Sequence, residues 1–306
     1  MHSAYQHDTI TFMKEEKIEV KKAGIVALIG RPNAGKSTLL NNLLGHKVAI
    51  TSPKPQTTRF AIQALYEDER GQILFVDSPG IFGKAKDPLA QKINAASEQT
   101  FSNPLDVAVY VIDHTRERDF EENKVLGFFR KLTVPKILVF NKIDVKKPDH
   151  TIQYSFIRDE CQETVEVSAL THANLNYLLN AIFRLLPEQK ESIDFSQQPF
   201  PALNIDSKLF VTEIIREKVF LFTRKEVPYT ITTKVDEITE RDNGTLFIKG
   251  RVITSAERYK SMLIGKNAAM IKEIGMAVRK ELETASGKKV FVELNVEVNP
   301  HWQEAF

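Results

Sequence analysis

Residues 24 to 38 read GIVALIGRPNAGKST, an apolar β-rich run that breaks at a glycine and resumes as a helix-forming stretch behind a second glycine, a lysine and a serine. Gly30-Arg31-Pro32-Asn33-Ala34-Gly35-Lys36-Ser37 matches G-x-x-x-x-G-K-[ST] in the place where that pattern carries meaning, between a strand and a helix. The spacing has a chemical reason. The glycines let successive amides turn toward phosphate oxygens, Lys36 neutralises the outer phosphates, and the Ser37 hydroxyl reaches a magnesium ion. A helix starting at Ser37 adds the positive end of its dipole. With Thr38, these residues are candidate contacts for a nucleoside triphosphate.

Working outward, residues 24 to 186 alternate short apolar runs with longer amphipathic ones. GIVALIG, RFAIQALYE, QILFVDSPG, DVAVYVID and KILVFNKID are the strand candidates. That rhythm predicts an α/β domain with a mostly parallel sheet and helices on both faces. Asp77, ahead of Ser78-Pro79-Gly80, closes the run QILFV, so its carboxylate lies at the ligand-binding edge of such a sheet and is placed to hold magnesium from behind Ser37. Asn141-Lys142-Ile143-Asp144 caps the run KILVF. A carboxylate such as that of Asp144 accepts from both N1–H and the 2-amino group of guanine. Adenine offers neither donor, and a buried carboxylate left unpaired would cost on the order of several kcal/mol. The expected base is therefore guanine, with backbone contacts from Ser168, Ala169 and Leu170 after TVEV. An ATP-dependent phosphotransferase would share the phosphate loop alone.

The chain of 306 residues, 42% hydrophobic, is long enough for two cores. The expected organisation is a loose tail over 1–22, the nucleotide domain over 23–186, a proline-bearing linker over 187–204 and a second domain over 205–306. In that second domain a helix from about Lys208 to Phe222 precedes two β-rich runs joined through Asp242-Asn243-Gly244, a hairpin signal. Next come a helix over about 256–264, a loop, a helix to about Thr284 and the strand KKVFVELNVEV. The loop, LIGKNAAMIKEIG at 263–275, is one glycine short of the G-x-x-G clamp that grips single-stranded RNA backbone. Gly265, Lys266, Asn267 and Ala268, with Lys272 behind them, are the candidate RNA contacts. Between Glu257 and Lys289, eight basic residues outnumber four acidic ones. Alanine at 268 is expected to weaken the clamp by losing a positive φ and adding a methyl group against the phosphate. Met262, Ile264, Met270, Ile271 and Ile274 are expected in the core.

Lys+Arg 42 against Asp+Glu 40 leaves no bulk charge for nucleic acid, so any basic surface is local. The lone Cys161 forms no internal disulfide. No apolar stretch reaches signal-peptide or membrane-spanning length, which predicts a cytoplasmic chain and leaves open a peripheral association with the inner face of the cell membrane. A monomer is expected.

The order and spacing of the boxes resemble the TRAFAC-class translation-factor-like GTPases, and the element order after residue 205 resembles a type II KH domain. GRPNAGKSTLLN, TSPKPQTTR, EIIREK at 213–218, VPYT at 227–230 and the IGKNAAMIKEIG region together resemble the Era family, over Gly24 to Trp302. The resemblance implies a GTP- and GDP-binding factor that hydrolyses GTP with Mg2+. It also implies binding to the 3′ region of small-subunit ribosomal RNA on the small ribosomal subunit, in whose maturation the factor assists. Thr58, with Thr57 next, is the first-switch residue expected to close over magnesium. Ile81, not glutamine, follows Gly80, so the attacking water needs another guide. Asn33 matches an asparagine that helps relatives hold K+, and it joins Lys36 and Thr58 as an expected catalytic residue. Intrinsic turnover is expected on the order of 10⁻⁴ to 10⁻² per second. The chain ends four residues past Trp302, so a terminal helical segment usual in the family is expected to be short or missing. The rival reading is a nucleotide-sensing checkpoint or scaffold with weak RNA binding and negligible hydrolysis.

Overall fold

In a computed structural model of the chain, residues 21–51, 62–77, 79, 91, 104–189 and 208–304 are described. Thr57, Thr58, Gly80, Ile81 and most of the proline-bearing linker lie outside the described residues.

The first sheet runs β2-β3-β1-β4-β5-β6. Its strands are β1 (Lys21–Ile29), β2 (Ile62–Asp68), β3 (Gly71–Asp77), β4 (Val107–Asp113), β5 (Lys136–Asn141) and β6 (Glu163–Val167). All neighbours pair in parallel except β2, which runs antiparallel to β3. The strand β7 (Glu188–Gln189) pairs antiparallel with Lys21–Lys22 at the start of β1, so the first linker residues are drawn onto the sheet. Because both faces are covered, β4 is buried at every position and reads as an unbroken apolar run rather than an alternating one. On one face α1 (Lys36–Leu44) and α4 (Leu175–Leu185) pack Leu39, Leu40, Leu178 and Ile182 into a cluster with Val26, Leu28 and Phe75. On the other, α2 (Phe120–Lys131) and the short α3 (Ser155–Arg158) bring Val125, Phe129 and Ile157 to Ile29, Tyr110 and Phe140. β1, β3 and β5 all end at the same edge, which carries the phosphate loop, Asp77 and Asn141 together.

The second unit is α5 (Lys208–Phe222), β8 (Ile231–Glu240), β9 (Leu246–Thr254), α6 (Glu257–Ile264), α7 (Ala269–Ser286) and β10 (Val290–Val298). The sheet order is β10-β9-β8. β8 and β9 are antiparallel across the Asp242-Asn243-Gly244 turn, while β9 and β10 are parallel, so α6 and α7 form the crossover. Ile214, Ile215, Ile274 and Val278 join Ile248 and Val252 in the core. From Phe247 onward burial alternates strictly along β9, so Phe247, Lys249 and Arg251 share the opposite face of the sheet. The helix expected over 208–222 is present, but Glu213, Arg216 and Glu217 are buried in it, which apolar spacing alone does not reveal. Met262 is also not core: it is exposed at the end of α6, while Ile274 is fully buried.

Candidate functional site

The phosphate loop is strained locally and braced from a distance. Gly35 sits at φ 95°, a left-handed backbone, and an added Cβ would lie 2.2 Å from the Asn141 Nδ2. That amide donates to the Ala34 carbonyl at 2.9 Å, and Asn141 Oδ1 accepts from the backbone N–H of Ala169 (2.9 Å) and Lys142 (2.8 Å). Asn141 therefore ties the phosphate loop to the Ser168-Ala169 turn. Lys36 Nζ is buried and donates to the carbonyls of Gly30 and Arg31 at 2.9 and 3.2 Å. Burial holds its pKa below the ordinary lysine value, against the pull of Asp77 and Glu122. A buried cation already turned over the loop suits the charge of a terminal phosphate.

Ser37 Oγ donates to Asp77 Oδ2 at 2.6 Å. The other oxygen, Asp77 Oδ1, is buried with no hydrogen-bond partner, and burial raises the carboxyl pKa. An open carboxylate acceptor beside a serine hydroxyl is a fitting partial cage for Mg2+, which keeps most of its shell as water and substrate phosphate. No group of three or more His, Cys, Asp or Glu fit for a metal occurs among the described residues.

At the other end Asp144 is exposed, and Ser168 Oγ donates to one of its oxygens. Ala169 is buried, its carbonyl held by the Asn42 side chain, whereas Leu170 is exposed. Lys142 stands at φ 73° and its Nζ reaches Asp113 Oδ2 at 2.6 Å.

Sequence reasoning missed the loop 113–119. It bridges both ends: Asp113 holds Lys142, His114 Nε2 lies 3.0 Å from the Lys142 carbonyl, and Arg116 donates to the Pro32 carbonyl at 3.3 Å. Arg31 runs beneath it, donating to the Glu117 carbonyl at 3.2 Å, with its Nε 2.9 Å from Glu122 Oε2. Tyr110 Oη donates to the other Glu122 oxygen at 2.5 Å. The only sequence signal was an aspartate at the end of β4, on the edge where Asp77 and Asn141 also lie.

The second missed feature is the seam between the two units. The segment 47–51 leads into TSPKPQTTR. Asn41 of α1 holds one side of it, with Oδ1 accepting from the N–H of Val48 and Ala49, both at 2.9 Å. Glu217 of α5 holds the other, accepting from Thr51 N–H at 2.7 Å and from Lys47 Nζ at 2.6 Å. Glu281 of α7 pairs with both Lys47 and Lys218. Although burial alone would raise its pKa, these two ammonium groups hold the Glu281 carboxyl below the ordinary value. Glu217 and Lys218 are the last two residues of EIIREK, so the motif's polar end is an anchor between units.

In the second unit Gly265 has φ 71° and ψ 174°, and an added Cβ would meet Met270 Cβ at 2.8 Å. Asn267 (φ 54°) and Ala268 (φ 59°) are both left-handed. The expected loss of positive φ at Ala268 is thus overturned: the turn into α7 holds the alanine in the glycine-like conformation. One turn into that helix, Lys272 lines a groove of about 440 Å³ between α7 and the edge strand β10, whose walls include Ile271, Met276, Arg279 and Leu294. Lys266 and Asn267 precede it in the loop.

A family model described as 50S ribosome-binding GTPase matches residues 25–142, and one described as KH domain matches 226–303. The GTPase Era of Halothermothrix orenii is 36% identical over 92% of this chain and 95% of the relative. The chain belongs to the Era GTPase family. Two solved Era structures cover 92% of the chain and 95% of their own with a TM-score of 0.83. One is a point variant of Aquifex aeolicus Era bound to GDP.AlF4-, 39% identical. The other is an Era in complex with MgGDPNP and nucleotides 1506-1542 of 16S ribosomal RNA, 38% identical. The Era fold thus accounts for both units: a P-loop GTPase domain and a C-terminal KH domain.

Proposed function

We propose that this chain is a GTP-hydrolysing, RNA-binding factor of small ribosomal subunit assembly, in which nucleotide state controls access of the 3′ region of the small-subunit RNA to the KH domain. The observation that carries it is Glu217: a KH-domain carboxylate hydrogen-bonds the backbone at Thr51, where the chain enters the expected switch segment. A change at the γ-phosphate that moves that segment pulls directly on α5 and, through Lys47 and Glu281, on α7, the helix behind the RNA loop.

Within this function Gly30 to Thr38 cradle the phosphates, with Lys36 carrying the charge, and Asn141, Lys142, Asp144 and Ser168 to Leu170 select guanine. Ser37, Asp77 and Thr58 would hold Mg2+, which supplies charge neutralisation on the phosphates. Gly265 to Ala268 and Lys272 hold RNA backbone. Asn33, at φ 64°, is proposed to help hold K+ beside the phosphates, where no glutamine follows Gly80. The chain is proposed to act as a monomer in the cytoplasm. A peripheral contact with the inner membrane face is part of the same proposal; no helix among the described residues is long and apolar enough to cross a membrane.

The test is RNA affinity in three nucleotide states. A single strand from the 3′ end of the small-subunit RNA should bind at least tenfold differently with a GTP analogue than with GDP, and ATP should leave binding at the nucleotide-free level. Equal affinity in all states would remove the coupling. Equal turnover in sodium and potassium buffers would remove the ion.

A further inference from the structure

The face of the KH sheet opposite its helices is mostly self-neutralised. Arg251 pairs with Asp236 at 2.7 Å and with Glu297 at 2.9 Å, and Lys249 stands 3.9 Å from Glu293. One end of that face differs. Phe247 of β9 and Phe291 of β10 are register partners, and their rings stack at 5.8 Å between centroids with 13° between planes. The guanidinium of Arg241, from the β8–β9 hairpin, lies 4.7 Å from the Phe247 ring and 5.5 Å from the Phe291 ring. Arg241 is exposed and has no carboxylate partner among the described residues. Phe291 itself is 49% exposed although it is large and apolar.

Phe291 also borders the groove between α7 and β10, with Lys272 and Arg279. It is therefore the lip shared by the groove and the open face. We propose that Phe291, backed by Phe247 and Arg241, is a stacking platform for one base of an RNA strand that leaves the groove over the edge of β10. This rests on the groove itself binding RNA.

The physical case has three parts. A half-exposed ring held against a second ring offers a rigid surface for a base, and stacking tolerates any base because every base has a π face. An unpaired guanidinium over the rings attracts the following phosphate and strengthens stacking. Continuity with the groove supplies the strand: a KH clamp holds about four nucleotides, and a longer strand that follows the groove meets this lip next. A cross-strand pair that served the sheet alone would gain nothing from leaving a large apolar ring half-exposed.

The experiment compares RNA of about four nucleotides with RNA of about ten, bound to the full chain with a GTP analogue and read by fluorescence anisotropy. Phe291→Leu should weaken the longer RNA by roughly 5- to 100-fold, the range of one lost base stack, and leave the shorter one unchanged. Phe291→Tyr should keep wild-type affinity. Arg241→Gln, on an exposed hairpin where folding is not at stake, should weaken only the longer RNA and lower its log–log salt slope by about one. A 2-aminopurine stepped along the strand should be quenched at one position past the groove and recover in Phe291→Leu. Unchanged binding of the longer RNA by both the leucine and the glutamine variants overturns the platform. If Lys272→Gln still weakens both lengths, only the platform falls. If it also has no effect, the groove reading falls with it.

Discussion

The phosphate loop and the RNA loop both enter a helix through a left-handed asparagine, Asn33 at φ 64° and Asn267 at φ 54°, and both follow it with an alanine. They part at the next step. In the first, a glycine takes φ 95° and the loop is locked from outside, with Asn141 bonding Ala34 and with Arg31 and Pro32 held from the 113–119 loop. In the second, Ala268 carries the left-handed turn itself, and its backbone N–H reaches only back to Gly265 at 3.2 Å. Strained backbone persists where neighbours over-determine it. The nucleotide loop has such neighbours, which suits a site that must be rigid before its ligand arrives. The RNA loop is set by its own short-range geometry, which suits a surface that yields to a flexible strand.

Gly35→Ala is the severest test of that contrast. The new methyl group would displace the Asn141 amide and break three hydrogen bonds, two of them buried, at about 1 kcal/mol each. GTP affinity by titration calorimetry should fall by roughly 100-fold or more, since about 1.4 kcal/mol is a factor of ten. A variant that binds GTP as tightly as wild type would show that the brace is not what holds the loop in shape.

How much of this was legible follows from where the partners lie in the chain. The phosphate loop, Asp77 and Asn141 to Asp144 each occupy a few consecutive residues at the end of an apolar strand, so sequence alone displays both the residues and their position. The element order of the KH unit was legible for the same reason. The brace from Arg31 to Glu122 and the link from Thr51 to Glu217 join residues 91 and 166 positions apart, and nothing local marks them. Met262 shows the converse error. Its apolar side chain suggested a core position, but α6 has only eight residues and buries Tyr259 and Leu263, leaving Met262 on the outer side.

Glu217→Ala tests whether the two loops communicate. It removes the acceptor for Thr51 N–H and leaves Lys47 and Lys218 with Glu281 alone. The difference in RNA affinity between the GTP-analogue and GDP states should shrink to within about twofold, a loss of about 1–2 kcal/mol of coupling. GTP affinity itself should change little, because Glu217 touches the switch root and not the phosphate loop. A variant with undiminished nucleotide control of RNA binding would sink the anchor. In that case the shared apolar seam, where Val48 and Ile50 join the cluster of Phe210 and Phe220, would be left to carry the signal.

The smallest effect is expected where the strain is unbraced. A left-handed alanine costs about 1 kcal/mol relative to glycine, but glycine gives back part of that by loosening the unfolded chain. Ala268→Gly should therefore stabilise the KH unit by about 0.5 kcal/mol, a rise of roughly two to four degrees in melting temperature for a domain of about 100 residues. On RNA binding, two terms act in the same direction: the methyl group no longer stands where, in the proposed clamp, a phosphate approaches the Ala268 backbone, and the conformation that clamp needs is kept without strain. Affinity at fixed salt should rise roughly two- to tenfold, on the order of 0.5–1.4 kcal/mol. The salt slope should stay as in wild type, because no charge changes. A rise in stability with no gain in affinity would separate the terms. It would mean that the alanine already presents its amide as a glycine would, and that the turn, not the side chain, decides how the loop meets RNA.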